Sequence, residues 1–245
     1  MSPTFWFKEY IAAQTPGAAW DSRADLALRL CVRFADDADL ARYVIACADA
    51  FIKAGKCTPA NAGALFFALD KTGDAKYREA IEQVMALLPA EAADLPAACE
   101  ALPFRMAYEM KLNRMERVGA TAAMFCSVHQ RLWNGKRHDV SLLEDAWFLL
   151  ALTDAIAVCS DQLYEHWRAM VDIYRTTLKG MLPEMTEAEP RTLALLLYAL
   201  LMGVEMSLID PERYLPVARK GIAALRQNGE AAAADLLEEG MVSNV

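Results

Sequence analysis

The residues best able to do chemistry fall in a few short stretches. In 94–108, DLPAACEALPFRMAY, Asp94 and Glu100 enclose a run of small residues and lead into Leu102-Pro103-Phe104. A carboxyl group beside apolar neighbours keeps its proton to higher pH and can serve as a general acid near neutrality. The same acids also suit plainer duties: Asp94 as a helix cap, Glu100 as partner of a nearby arginine. Glu144, Asp145 and Trp147 stand where another helix should begin. Carboxylates are favoured there by the helix dipole, and the indole can stack on a sugar face or pack in a core. Trp20 and Asp21, with Arg23, repeat that combination at an earlier helix start. Arg191 opens a later helix, where its guanidinium fits a ligand carboxylate or a salt bridge to Glu187 or Glu189.

Other chemistries find little footing. His129 and His138 flank a Trp133-Asn134-Gly135 turn, and His166 falls on an amphipathic helix and is expected at the surface. No histidine pair has metal-ligand spacing, so no metal site is expected. No GxSxG, GxGxxG or P-loop occurs. The six cysteines lie at least ten residues apart in apolar helical contexts and read as buried free thiols in a reducing compartment.

The net charge of −8 comes from 33 acids against 25 bases, with no run of Lys and Arg. Nucleic acid is therefore not an expected partner. The uncharged stretch 192–204 is too short to span a bilayer, and the N-terminal MSPTFWFKEYIAA lacks a signal pattern. A cytoplasmic protein with no membrane partner is expected.

The elements that must position these residues are helices. Beta-branched residues are sparse, Ala, Leu, Met, Glu and Arg dominate, and 56% of the chain is hydrophobic, enough for a core without staples. Breakers and caps divide the chain into helices near 2–13, 19–35, 39–54, 58–72, 74–88, 96–112, 114–133, 141–158, 161–181, 190–208, 210–228 and 231–239, with no convincing strand. Pro103 lies inside the sixth and should kink it. Four odd-numbered helices open alike, with an aspartate cap and a tyrosine about one turn later: Asp39 and Tyr43, Asp74 and Tyr77, Asp161 and Tyr164, Asp210 and Tyr214. Each tyrosine should face a neighbour. Even-numbered helices are apolar almost all round. A wet-faced helix followed by a buried one, repeated with uneven spacing, predicts two layers of hairpins closed into a ring rather than a regular solenoid. No linker marks a boundary, so 1–245 reads as one all-helical domain.

Asn61-Ala-Gly-Ala-Leu-Phe-Phe-Ala-Leu-Asp-Lys-Thr-Gly-Asp-Ala-Lys-Tyr-Arg-Glu-Ala80, Leu102-Pro-Phe-Arg-Met-Ala-Tyr108, His129-Gln-Arg-Leu-Trp133 and Ala146-Trp-Phe-Leu-Leu-Ala-Leu-Thr-Asp-Ala155 occur in that order. This ordered set resembles the unsaturated glucuronyl and rhamnogalacturonyl hydrolases of glycoside hydrolase families 88 and 105, over roughly residues 20–182. The resemblance implies an (α/α)6 toroid, complete or nearly so, with short loops. It implies removal of an unsaturated uronic acid from lyase-generated oligosaccharides: an aspartic acid protonates the vinyl ether and water adds to C5, without cofactor. The site would lie at the starts of the inner helices. The chain departs from the family at the chemistry. Pro96 holds the place of the catalytic aspartate, with Asp94 and Glu100 on either side. Cys57-Thr-Pro-Ala-Asn61 lacks the second acid. Leu143-Glu-Asp-Ala-Trp147 stands for Arg-Gly-Asn-Gly-Trp. The expected roles are Glu100 or Asp94 as proton donor, Trp147 and Trp20 as sugar platforms with Asp21, Glu144 and Asp145 beside them, and Arg191 for the uronate carboxylate. The alternative is a catalytically inactive homologue that binds a saccharide or a protein.

Overall fold

The computed structural model describes residues 5–17, 22–34, 36–92, 94–159 and 163–242. Most of the described chain is helical, and the only pairing of extended type among the described residues is an isolated antiparallel bridge between Trp133 and His138. The helices gather into two compact units, residues 1–89 with 238–244 and residues 90–237.

The first unit holds α1 (Phe5–Ala12), α2 (Ser22–Arg33), α3 (Ala38–Ala54), α4 (Ala62–Thr72) and α5 (Ala75–Leu87). The carboxylate of Asp37 caps α3 by accepting from the N–H groups of Asp39 and Leu40. The sequence pointed to Asp39, which instead sits in the first helical turn, where the dipole favours an acid. Asp74 caps α5 as expected, accepting from the Lys76 N–H at 3.0 Å. Helices α3 and α4 end on Gly55 and Gly73, both at positive φ (63° and 69°), the left-handed stop that glycine adopts without a Cβ clash. Asn61 sets the start of α4 by accepting from the Thr58 N–H and donating to the Lys56 carbonyl. Tyr77 is buried and donates to Asp49 at 2.8 Å, tying α5 to α3.

The second unit holds α6 (Leu95–Lys111), α7 (Val118–Leu132), α8 (Leu142–Val158), α9 (Tyr164–Met181), α10 (Pro190–Glu205), α11 (Pro211–Gln227) and most of α12 (Ala231–Gly240). Helix α8 packs against α6, α10 and α9, while α7 packs on α6 and α9, and α11 on α10. Helices α6, α8 and α10 therefore form one layer, with α7, α9 and α11 packed behind it. Sequence explains the division. Phe148, Leu149, Leu150 and Leu152 of α8 and Leu193, Leu196, Leu197, Leu200 and Leu201 of α10 are all buried, on every side of their helices. Each such side chain contributes about 1.5–3 kcal/mol by leaving water. In α11 only Ala218, Gly221, Ile222 and Leu225 are buried. Gly203 of α10 lets Tyr174 of α9 come close: a Cβ there would meet the phenol oxygen at 2.0 Å. That hydroxyl donates to the Ala199 carbonyl at 2.8 Å and pins the two layers together.

Two local features depart from what the sequence suggests. Helix α7 begins at Val118, not near 114. Buried Glu109 accepts from the Arg117 N–H and the Asn113 amide, and Arg114 and Met115 take positive φ to make that loop. Tyr164 is 54% exposed and stacks on Trp167 of its own helix rather than facing a neighbouring element. Asp161 lies outside the described residues. All six cysteines are free thiols, four of them buried and Cys57 and Cys126 half-buried. Among the described residues, no helix is long and apolar enough to cross a membrane.

Candidate functional site

The starts of α6, α8 and α10 lie at one end of the second unit. Asp94 caps α6, accepting from the Ala97 N–H at 2.9 Å, and Pro96 occupies the first turn. Ser141 and Glu144 close a capping box at the start of α8. The Ser141 N–H and hydroxyl donate to the Glu144 carboxylate at 2.9 and 2.6 Å, and the Glu144 N–H donates to the Ser141 hydroxyl at 3.2 Å. Those bonds hold the Glu144 carboxyl below its usual range. Asp94 is close enough to push the other way. Between the two helix starts, the Cys99 thiol is pushed up, first by burial and then by the charges of Glu100, Asp145, Glu144 and Asp94. Such a thiol stays protonated and is no nucleophile.

Helix α10 joins at the other flank of α8. The guanidinium carbon of Arg191 lies 6.0 Å from the centre of the Trp147 ring, a cation over an indole face. Arg191 is exposed and Trp147 half-buried. Asp94 and Glu100 are both exposed, on the first two turns of α6. The structure therefore brings Asp94, Glu100, Glu144, Trp147 and Arg191 to the same three helix starts. Trp20 and Asp21 lie outside the described residues.

Asp145 has a different setting. It is fully buried and faces His138, whose Nδ1 is 2.5 Å from its Oδ1. The other ring nitrogen of His138, Nε2, is 2.8 Å from Nδ1 of His129, in the last turn of α7. Expected to meet a ligand, Asp145 is instead held inside by an imidazole. The array is built by the hairpin between α7 and α8. Asn134 accepts from the N–H groups of Lys136 and Arg137, Gly135 takes φ 97°, and the Asp139 N–H donates to the Leu132 carbonyl. Trp133 is thereby paired with His138. Gly180 of α9 admits this turn, since a Cβ there would lie 2.5 Å from the Lys136 carbonyl oxygen. His138 packs edge-on against Trp133 and Phe148, with ring centres 5.5 and 5.0 Å away.

Residues 129, 138 and 145 fit no helical period and no ligand motif, so their spacing alone does not reveal the array. The available signal was the Asn-Gly turn: a tight hairpin folds residues a few positions either side of it onto each other. His166, expected at the surface, is half-buried, with its ring against Gly119 of α7. Among the described residues, no cluster of three His, Cys, Asp or Glu has the geometry to hold a metal ion. No protein-family model matches the chain, and no curated protein matches it either.

Proposed function

We propose that the chain is a glycoside-hydrolase-like protein that handles unsaturated uronyl oligosaccharides at the starts of α6, α8 and α10. The observation that carries the reading is the Arg191–Trp147 pair. It joins, from separate helices, a bidentate partner for a uronate carboxylate and a flat apolar face for a sugar ring. The carboxyls of Asp94, Glu100 and Glu144 stand at the same helix starts. Glu100 is the preferred proton donor. Asp94 is engaged at the Ala97 N–H, and Glu144 is held ionised by Ser141. The layering of α6, α8 and α10 in front of α7, α9 and α11 supports a six-hairpin toroid as the architecture.

A second reading, a saccharide-binding module without catalysis, is favoured by those same caps, in which backbone N–H groups engage the carboxylates of Asp94 and Glu144. Both readings require the end of the unit to bind. Titration with an unsaturated uronyl disaccharide should change tryptophan fluorescence at millimolar ligand or below. Arg191→Met should weaken binding at least tenfold, and Trp147→Ala should abolish the signal. Binding that is absent, or untouched by both substitutions, overturns the proposal.

A further inference from the structure

We propose that Asp145, His138 and His129 form a directed proton relay whose working end is Nε2 of His129, a base for a hydroxylic proton donor such as water or an alcohol. The inference stands apart from the saccharide reading and does not depend on it.

The direction follows from the geometry. His138 is fully buried and each of its nitrogens has one partner: Asp145 at 2.5 Å and His129 at 2.8 Å. An ionised carboxylate only accepts, so the ring nitrogen that faces it donates. His138 thus carries its proton on Nδ1. Its Nε2 is then a lone pair and must accept, so His129 supplies the hydrogen from its own Nδ1. That leaves Nε2 of His129 as an open lone pair on the half-buried ring.

Proton uptake then has a path and a seat. When Nε2 of His129 takes a proton, the donor departs as hydroxide or alkoxide. The Nδ1 proton of His129 passes to Nε2 of His138, and the cation comes to rest against the Asp145 carboxylate. Burial disfavours a charge resting on His129 itself, as does the neighbouring His138 ring, while the Asp145 charge opposes them. Among the described residues, His138 from the hairpin and Asp145 from α8 are the groups whose charges act on His129.

The array is also held for this purpose. The His129 ring lies against Trp133 at 5.1 Å, and His138 is fixed edge-on by Trp133 and Phe148. Oδ2 of Asp145 is buried without a hydrogen bond, so the carboxylate is engaged through Oδ1 alone and no backbone donor dilutes its charge. The caps Asp94 and Asp210, by contrast, spend their carboxylates on backbone N–H groups.

The chain has three histidines, so imidazole nitrogen NMR of the full-length protein resolves all of them. The expected spectrum shows His138 and His129 both protonated at Nδ1, with a strongly downfield His138 proton and an unprotonated Nε2 on His129. Asp145→Asn should remove the downfield proton and lower the titration midpoint of His129. His129 protonated at Nε2 and accepting at Nδ1 in the unsubstituted protein would overturn the relay, as would a midpoint unmoved by Asp145→Asn. Should that variant fail to fold, carbethoxylation of the unsubstituted protein decides. His129 should react at least tenfold faster than His138, and equal resistance of the two contradicts an open Nε2.

Discussion

At the start of α8, Glu144 closes a capping box with Ser141, while the next residue, Asp145, turns inward to His138. Glu144 is half-buried and bonds to the helix end that its own sequence creates. Asp145 is fully buried, meets a side chain seven residues away and leaves one oxygen without a hydrogen bond. The start of α6 repeats the first pattern, with Asp94 on the Ala97 N–H. One residue of helical rotation separates a carboxylate whose charge is absorbed by local N–H and O–H donors from one whose charge acts on an imidazole. The type of residue does not decide its duty; the side of the helix it occupies does.

The largest effect should come from breaking the buried pair. Asp145→Ala leaves the buried Nδ1–H of His138 without an acceptor and should cost about 1.5–3 kcal/mol in urea denaturation. A loss near that of an ordinary surface substitution would mean that the pair is not coupled. Gly180→Ala should come next, at about 1–3 kcal/mol, because the new methyl meets the Lys136 carbonyl oxygen and displaces the turn carrying His138. Its NMR signature should be a disturbed His138 proton, which a substitution at the α6 cap would leave alone. Removing caps should matter less: Asp94→Ala and Ser141→Ala should each cost about 1 kcal/mol by the same measurement.

The pH dependence sharpens the contrast further. The folded chain holds His129 below its ordinary value of 6.5, so the unfolded chain binds more protons there. Stability should be full above pH 6.5 and fall as the pH drops below it, and His129→Gln should flatten that step. The Glu144 carboxyl is also depressed, from an ordinary 4.5, so its contribution is present above 4.5 and is lost at lower pH. Ser141→Ala should change only this second, acid window.

Local rules written in the chain carried much of the fold. The caps at Asp74 and Asp210 and the stops at Gly55 and Gly73 follow from residue type and position alone. The all-round apolar character of α8 and α10 marked them as the buried layer. Where long-range contacts decide, residue type and position are not enough. The start of α7 yields to buried Glu109, and Tyr164 is exposed and stacks on Trp167 of its own helix. At the candidate site, Trp147 and Arg191 were legible as helix starts, but their meeting depends on the packing of α8 against α10. The histidine array was not legible, because its distances are set by one hairpin's register.

The most direct measurement is the ultraviolet absorbance of an unsaturated uronyl disaccharide incubated with the protein. Removal of the unsaturated sugar destroys the absorbing double bond. The account predicts a steady loss of absorbance with the unsubstituted chain and none with Glu100→Gln, provided that variant keeps its helical fold. Absorbance unchanged over hours at high protein concentration would contradict a hydrolase acting on that substrate.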